Sequence, residues 1–288
     1  MEEVDFSQHG VGYVFCEKCN HLNGTYEDTK SFIEKMYMSD DGKEYASTYI
    51  DESFEKRAIE IYLPKVDFLV TTLPPKLNKI LDIGCGSGYF VFASLLRNLQ
   101  AEGLDVSKTM VEFGNFQISQ ILGSSPLKYA DEDKFFEVIK DTDAEIVSAI
   151  GLIEHLREPQ RFFEAFKSSR AKYLYYSVPM FSLSVALENA SSNVFPRQLS
   201  GGHTHLFTEE SIVEMNELMN VSSIGEWRFG TDIMDLYRHL LVNLKSNGVS
   251  QKMIKYLYDG FGAKIDELQN ILDSNHSCSE IHVVAVKN

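Results

Sequence analysis

The chain has 288 residues, 44% hydrophobic and 12% aromatic, which is enough to bury the core of one large domain or of one domain with additions. Its formal net charge of −15 repels nucleic-acid phosphates and anionic membranes, and Lys and Arg are scattered singly rather than gathered into a patch that would override that field. No apolar run reaches the roughly 20 residues of a bilayer span, Met-Glu-Glu-Val-Asp-Phe at the N-terminus lacks the basic-then-apolar order of a secretory signal, and four cysteines are too few for a disulfide framework. The expectation is a cytoplasmic protein that acts on a small molecule, with neither nucleic acid nor membrane as partner.

Residues 1–30 read as polar and irregular, with one C-x-x-C at Cys16 and Cys19 and with His9 and His21 nearby. A closed structural zinc site takes four ligands. One cysteine pair falls short, His276 and Cys278 are distant, and no metal is expected. Residues 31–73 read as helical, with Phe54, Ala58, Ile61, Tyr62, Val66, Leu69 and Val70 at helical spacing. Pro74-Pro75 ends that segment.

The run Lys79-Ile-Leu-Asp-Ile-Gly-Cys-Gly-Ser-Gly88 is the most informative stretch. Ile80, Leu81 and Ile83 around Asp82 predict a buried strand over 79–83, and the apolar pattern after Gly88 predicts a helix over 88–98. Between them, Gly84, Gly86 and Gly88 allow a sharp turn and let a ligand approach the main chain without meeting a Cβ. The helix start supplies free N–H groups and a positive dipole end, which suit an anionic group. A dinucleotide turn of the form G-x-G-x-x-G would place its third glycine at position 89, which is Tyr89, and no Gly-Lys-Ser/Thr of a P-loop is present.

Strand and helix then alternate: strands at 101–105, 127–130, 145–150 and 172–178, and helices at 107–121, 132–140 and 159–169, the last opened by Pro159. This order predicts a parallel sheet with helices on both faces. Residues 180–207 break the rhythm and read as a long Ser-, Asn- and Gly-rich loop ending in Gly201-Gly-His-Thr-His-Leu-Phe207. Thr208 suits a helix N-cap, with Glu209 and Glu210 in the first turn. A strand over 221–229, amphipathic helices over 232–246 and 250–272, and a final strand over 280–286 complete the chain.

The glycine-rich run resembles the first motif of class I S-adenosylmethionine-dependent methyltransferases, V/I-L-D-I/V-G-C/S-G-x-G, with Asp82, Gly84, Cys85, Gly86 and Gly88 in register. The resemblance implies a Rossmann-like α/β fold. Its seven-stranded, mostly parallel sheet carries helices on both faces, and its last strand is antiparallel and inserted beside the sixth. It also implies S-adenosyl-L-methionine as cofactor. On that reading 1–75 is an N-terminal cover and 76–288 the methyltransferase domain, with 180–207 as an active-site loop and 231–275 as a helical insertion. Gly151-Leu-Ile-Glu-His-Leu-Arg-Glu-Pro159 resembles the E-H-x-x-x-P element of a subgroup that includes O-methyltransferases of ubiquinone biosynthesis and sugar methyltransferases.

By that likeness Asp105 binds both ribose hydroxyls, Val106 packs against adenine, Asp131 accepts from the adenine amino group, and Ile150 lies along the methionine part. Tyr45 and Tyr49, ahead of Arg57, resemble an N-terminal cover over the amino acid end. The sulfonium methyl is already electrophilic, so the enzyme must align a nucleophile about 3 Å away. A hydroxyl acceptor also needs its proton removed, which suits histidine. His155, His203 and His205 are the candidates; His203 and Phe207 match a G-H-x-x-x-F element of related enzymes. Glu154 can orient a histidine or pair with an arginine, and Arg197 can grip an anionic acceptor.

The expected function is methyl transfer to a small hydroxylated metabolite, free, phosphorylated, or linked to a sugar or nucleotide. Carbon and nitrogen acceptors stay open, as does a non-catalytic scaffold that only binds the cofactor. The C-terminal helices carry enough apolar surface for a lid or a dimer contact, which leaves both monomer and homodimer open.

Overall fold

The structure, a computed structural model, describes residues 5–8, 11–24, 53–190, 198–199 and 203–288. His9, Tyr45, Tyr49, Arg197 and residues 31–52 of the expected helix lie outside them. The chain divides into two compact units, a larger one over 27–177, 215–226 and 283–288 and a smaller one over 1–26, 178–214 and 227–282.

In the larger unit, Ser53 caps helix α1 (Phe54–Arg57) by accepting from the amide of Lys56. The helix widens into a π-turn over Ala58–Tyr62 and resumes as α2 (Leu63–Thr72). Phe54, Ala58, Val66 and Leu69 are buried as the spacing predicts, but Ile61 and Val70 are exposed. The π-turn carries Ile61 off the buried face, which an unbroken 3.6-residue period does not anticipate, and Val70 lies about 100° around the axis of the regular helix from buried Leu69.

Strand β4 (Lys79–Ile83) leads into α3 (Tyr89–Leu96), β5 (Gln100–Asp105) and α4 (Lys108–Leu122). The hydroxyl of Ser107 accepts from Met110 N–H to start α4, and Gly123 in the left-handed region stops it. Next come β6 (Leu127–Tyr129), α5 (Glu132–Asp141), β7 (Ile146–Ile150), a 3₁₀ turn (Ile153–His155) and α6 (Pro159–Ser168). The largely apolar run Ile80-Leu-Asp-Ile83 suits a strand covered on both faces, and all four residues, Asp82 included, are buried. The α3 helix is buried from Tyr89 through Ser94, and Tyr89 stacks on Phe54 with ring centroids 4.6 Å apart.

With β8 (Tyr173–Pro179), β10 (Val221–Phe229) and β11 (Glu280–Lys287), the main sheet has seven strands in the order β10-β11-β8-β7-β4-β5-β6. It is mostly parallel with antiparallel last strands, as expected of the Rossmann-like fold, and β11 lies between β10 and β8. Strand β4 pairs with β5 on one side and with β7 on the other, both parallel. The direction of winding therefore reverses at β4, and its carboxyl end is the place where open α/β sheets bind ligands.

In the smaller unit the expectation of irregular chain over 1–30 is corrected. Strands β1 (Phe6–Gln8), β2 (Val11–Phe15) and β3 (Leu22–Gly24) form an antiparallel sheet with β9 (His205–Leu206). Tyr13, Leu22 and Leu206 form its core together with Val185 and Leu199. The expectation of a loop over 180–207 is corrected too: α7 (Leu183–Ala190) and β9 fall within it. Thr208 caps α8 (Glu209–Met219) as predicted, its hydroxyl accepting from Ser211 N–H at 3.2 Å.

Helix α9 (Asp232–Ser246) follows. The single helix expected over 250–272 is two, α10 (Gln251–Phe261) and α11 (Ile265–Ser274), joined by a 3₁₀ turn at Gly262–Lys264. Ile233, Tyr237 and Ile265 hold these helices together, and Asp232 anchors α9 by accepting from the backbone and hydroxyl of Ser184 at 3.0 and 2.9 Å.

Candidate cofactor site and histidine loop

The turn after β4 is built by its glycines. Gly84, Gly86 and Gly88 have φ of +69°, +52° and +76°, the left-handed region that a Cβ disfavours. Gly84 N–H and Cys85 N–H donate to the carbonyl of Leu104 at 2.8 and 3.1 Å, which presses the turn against the end of β5. Gly103 permits that approach, because a Cβ there would lie 2.7 Å from Cys85 Sγ. Burial pushes the Cys85 thiol up, so it stays protonated.

Asp105 ends β5 and is buried. Its Oδ2 accepts from Gly86 N–H and its Oδ1 from Ser107 N–H, both at 2.7 Å. Burial raises its pKa, and the amides of Ser107, Gly86 and Val106 oppose that shift. Asp82 lies in β4 and accepts from the hydroxyl of Ser148, on β7, at 2.7 Å. Burial, with the Asp105 charge adding to it, pushes Asp82 up to about 7. Asp131 is the N-cap residue of α5, is exposed, and accepts from the hydroxyl of Tyr129 at 2.6 Å. Val106 and Ile150 are half-buried at the ends of β5 and β7. The larger unit thus gathers Asp82, the glycine turn, Asp105, Val106 and Ile150 at the carboxyl ends of three adjacent strands. Tyr49 lies outside the described residues.

The 3₁₀ turn after β7 carries Glu154 and His155. The Glu154 carboxylate is buried, and its Oε1 lies 3.9 Å from His155 Nε2. Gly151, at φ +63°, starts this turn, and its N–H donates to Ser177 Oγ at 3.1 Å.

The other two candidate histidines belong to the smaller unit. His203 Nδ1 lies 2.8 Å from the carbonyl of Gln198. A carbonyl only accepts, so Nδ1 carries the proton, and in the neutral ring Nε2 carries the lone pair. His205 Nδ1 lies 3.0 Å from His21 Nε2, and the His21 ring packs edge-on against Phe207 at 4.6 Å. Burial, with a further push from His205, lowers His21 to about 3, so it is neutral throughout the physiological range. Cys16 and Cys19 sit in the turn joining β2 to β3, where the amides of Cys19 and Lys18 hold the Cys16 thiol below its ordinary pKa. Among the described residues, no third Cys, His, Asp or Glu joins these two in a metal-binding group.

Three residues here escaped the sequence reading. His21 was visible only as a partner for Cys16 and Cys19, because its contact with His205 depends on β3 pairing with β9. Ser148 carries no motif, and neither does Glu188, on α7 of the smaller unit, whose buried carboxylate accepts from Gln198 N–H at 2.7 Å. A periodic pattern gives Ser148 only as a polar residue inside an apolar strand, which is itself a signal of a buried partner.

The family model described as "Methyltransferase domain" matches residues 54–221. Among curated proteins, the ubiquinone biosynthesis O-methyltransferase of Chromobacterium violaceum is 28% identical over 109 residues, which are 37% of this chain and 45% of that protein. The chain therefore spans less than half the length of this curated relative. Among solved structures, a magnesium protoporphyrin IX methyltransferase from Synechocystis PCC 6803 with bound SAH superposes with a TM-score of 0.58 at 13% identity, covering 90% of this chain and 100% of that one. Phosphoethanolamine N-methyltransferase 2 from Haemonchus contortus, in complex with S-adenosyl-L-methionine, gives 0.55 at 17% identity, covering 92% of this chain and 62% of that one. The two structures share the fold. The family match spans more than half of the chain and contains the glycine turn, Asp105 and the Glu154-His155 element. On that match, the chain belongs to the class I S-adenosylmethionine-dependent methyltransferases.

Proposed function

We propose that this protein transfers the methyl group of S-adenosylmethionine to a hydroxyl of a small metabolite, with a histidine as general base. The observation that carries the cofactor half is the tie between Asp105 and Gly86. One carboxylate holds the glycine turn in place and keeps lone pairs for two further donors, as a ribose diol requires. The turn fits the group as well: among the described residues a Cβ on Gly86 would meet only Met110 Sδ, at 3.7 Å, which leaves the main chain there open on their side to a ligand. In this reading Asp105 binds the ribose, Val106 lies beside adenine, Asp131 accepts from the adenine amino group, and Ile150 flanks the methionine part.

The bound cofactor supplies an electrophilic methyl on a sulfonium. The chain supplies alignment and a proton acceptor, each realised most fully in the transition state. His203 is the first candidate base, because its Nδ1–H is committed to Gln198 and Nε2 is the atom able to take a proton. His155 and His205 are the other two; Glu154 orients His155 and His21 steadies His205. The chain's −15 charge favours a small acceptor over a polyanion.

Titration with S-adenosylhomocysteine and with NAD tests the cofactor half, and binding of NAD alone overturns it. Incubation with labelled S-adenosylmethionine and a panel of hydroxylated metabolites tests the acceptor half. Transfer only to nitrogen or carbon acceptors leaves the cofactor assignment standing and removes the hydroxyl and its base.

A further inference from the structure

The buried carboxylate of Glu188, in α7, is used by none of the chemistry above. Its Oε1 accepts from Gln198 N–H at 2.7 Å and its Oε2 from Leu199 N–H at 2.8 Å. Leu199 N–H belongs to the same peptide unit as the Gln198 carbonyl, which accepts the Nδ1 proton of His203 at 2.8 Å. The phenol of Tyr13 donates to the carbonyl of His203 itself at 3.3 Å, holding the backbone of that residue from strand β2.

We propose that Glu188 is a positioning residue that sets the orientation and tautomer of His203 through the peptide joining Gln198 to Leu199. The inference rests on the reading of His203 as a base for its catalytic consequence, though its geometric part stands without it. The physical chain is short. An amide N–H that donates to a carboxylate leaves more negative charge on its own carbonyl oxygen, and chains of hydrogen bonds strengthen one another in this way. That carbonyl then accepts more strongly from His203 Nδ1–H, so the lone pair is held on Nε2. The carboxylate also pins two consecutive amides, which fixes where the carbonyl points. The arrangement does for His203 what a buried aspartate does for the histidine of a catalytic triad, with a peptide group interposed.

The geometric part is read from the intact protein. ¹⁵N spectra of histidine-labelled protein with His203 assigned are expected to show one tautomer, protonated at Nδ1; protonation at Nε2 overturns the proposal without any variant. In Glu188→Gln the carboxamide accepts through one oxygen only, and a mixture of the two tautomers is expected. For the catalytic part, kcat of E188Q falls roughly tenfold with KM for the cofactor unchanged, the loss of one charge-assisted orienting bond. Glu188→Asp recovers part of that loss, because it restores the charge. An unchanged tautomer together with unchanged kcat in E188Q refutes the relay. His203→Ala separates the two failures: full activity in that variant removes His203 as the base but leaves the tautomer result to judge Glu188.

Discussion

The carboxylate of Asp105 accepts the amide proton of Gly86 at 2.7 Å, across a sequence separation of 19 residues. The acid at the end of β5 therefore shapes the turn after β4, and the two motifs behave as one object. Asp105→Ala leaves the N–H groups of Gly86 and Ser107 without this acceptor, at a cost of about 1–3 kcal/mol for each that stays buried. In the proposed site it also removes the ribose contact. S-adenosylhomocysteine affinity is expected to fall by well over tenfold in titration calorimetry, and wild-type affinity in this variant would refute the assignment.

The glycines of the turn are separable by experiment. Alanine at Gly88 is forced to φ +76° and also meets Leu127 Cδ1 at 2.6 Å, so the melting temperature drops. Alanine at Gly86 has room among the described residues, with the nearest of their atoms at 3.7 Å, and carries the left-handed backbone cost of about 1–2 kcal/mol. Gly86→Ala is expected to fold and to bind cofactor product weakly, while Gly88→Ala loses stability first. Thermal melts paired with titrations distinguish the two.

Asp82 gives a pH signature. Its folded pKa of about 7 lies above the ordinary 3.8, so over that interval the folded chain holds a proton that the unfolded chain has released. The stabilisation is complete below about pH 4 and is lost as pH rises through 7. Asp82→Asn keeps a neutral side chain that still accepts from Ser148, and it removes this contribution. Urea midpoints measured from acid to neutral pH should fall less steeply in the variant, and parallel curves would refute the shift.

The histidines divide by the readout they move. His203→Ala is expected to lower kcat about a hundredfold or more if it is the base, with cofactor affinity retained. His155→Ala and His205→Ala are the matched controls, and the residue whose loss removes turnover without weakening S-adenosylhomocysteine binding is the base. If all three variants keep wild-type turnover on a hydroxylated acceptor, no histidine is the base.

Asp232 tests the helical part of the smaller unit. It is fully buried and accepts from Ser184 N–H, Ser184 Oγ–H and, at 3.4 Å, Gln269 Nε2–H. Asp232→Ala strands the Ser184 N–H, while Ser184 Oγ keeps Asp235 at 2.9 Å and Gln269 Nε2 keeps Asp273 at 2.7 Å, so unfolding free energy is expected to fall by about 1–3 kcal/mol. Denaturant melts read the loss directly.

The repeating strand–helix rhythm from 79 to 179 was legible because β4, β7 and β8 are short, largely apolar runs closed by glycine or proline. The three glycines were legible because a backbone that must turn sharply leaves few residue choices, and Asp82 and Asp105 through the resemblance to the methyltransferase motifs. Strands β1, β3 and β9 have three, three and two residues, too few for an alternating pattern to declare itself. Helix α7 was hidden by the Ser- and Asn-rich composition around Leu183–Ala190, although Val185 packs into a core. Gly260 and Gly262 were the visible sign that 250–272 would break. His21 and Glu188 were illegible in principle, since each acts on a partner that only the fold brings near.

The π-turn at Ala58–Tyr62 carries a consequence for the length of the chain itself. Ala58 and Val66 both face the core, yet eight residues of ordinary α-helix would leave them about 80° apart around the axis. The wide turn absorbs that slack, as a single surplus residue does when a helix must keep both its ends seated. Losing one residue there would tighten the coil and leave Phe54 and Leu69 docked. Losing one within Leu63–Thr72 would instead swing the far half by about 100° and unseat Leu69. This stretch is where the segment can gain or shed a residue over evolutionary time without disturbing the sheet it covers.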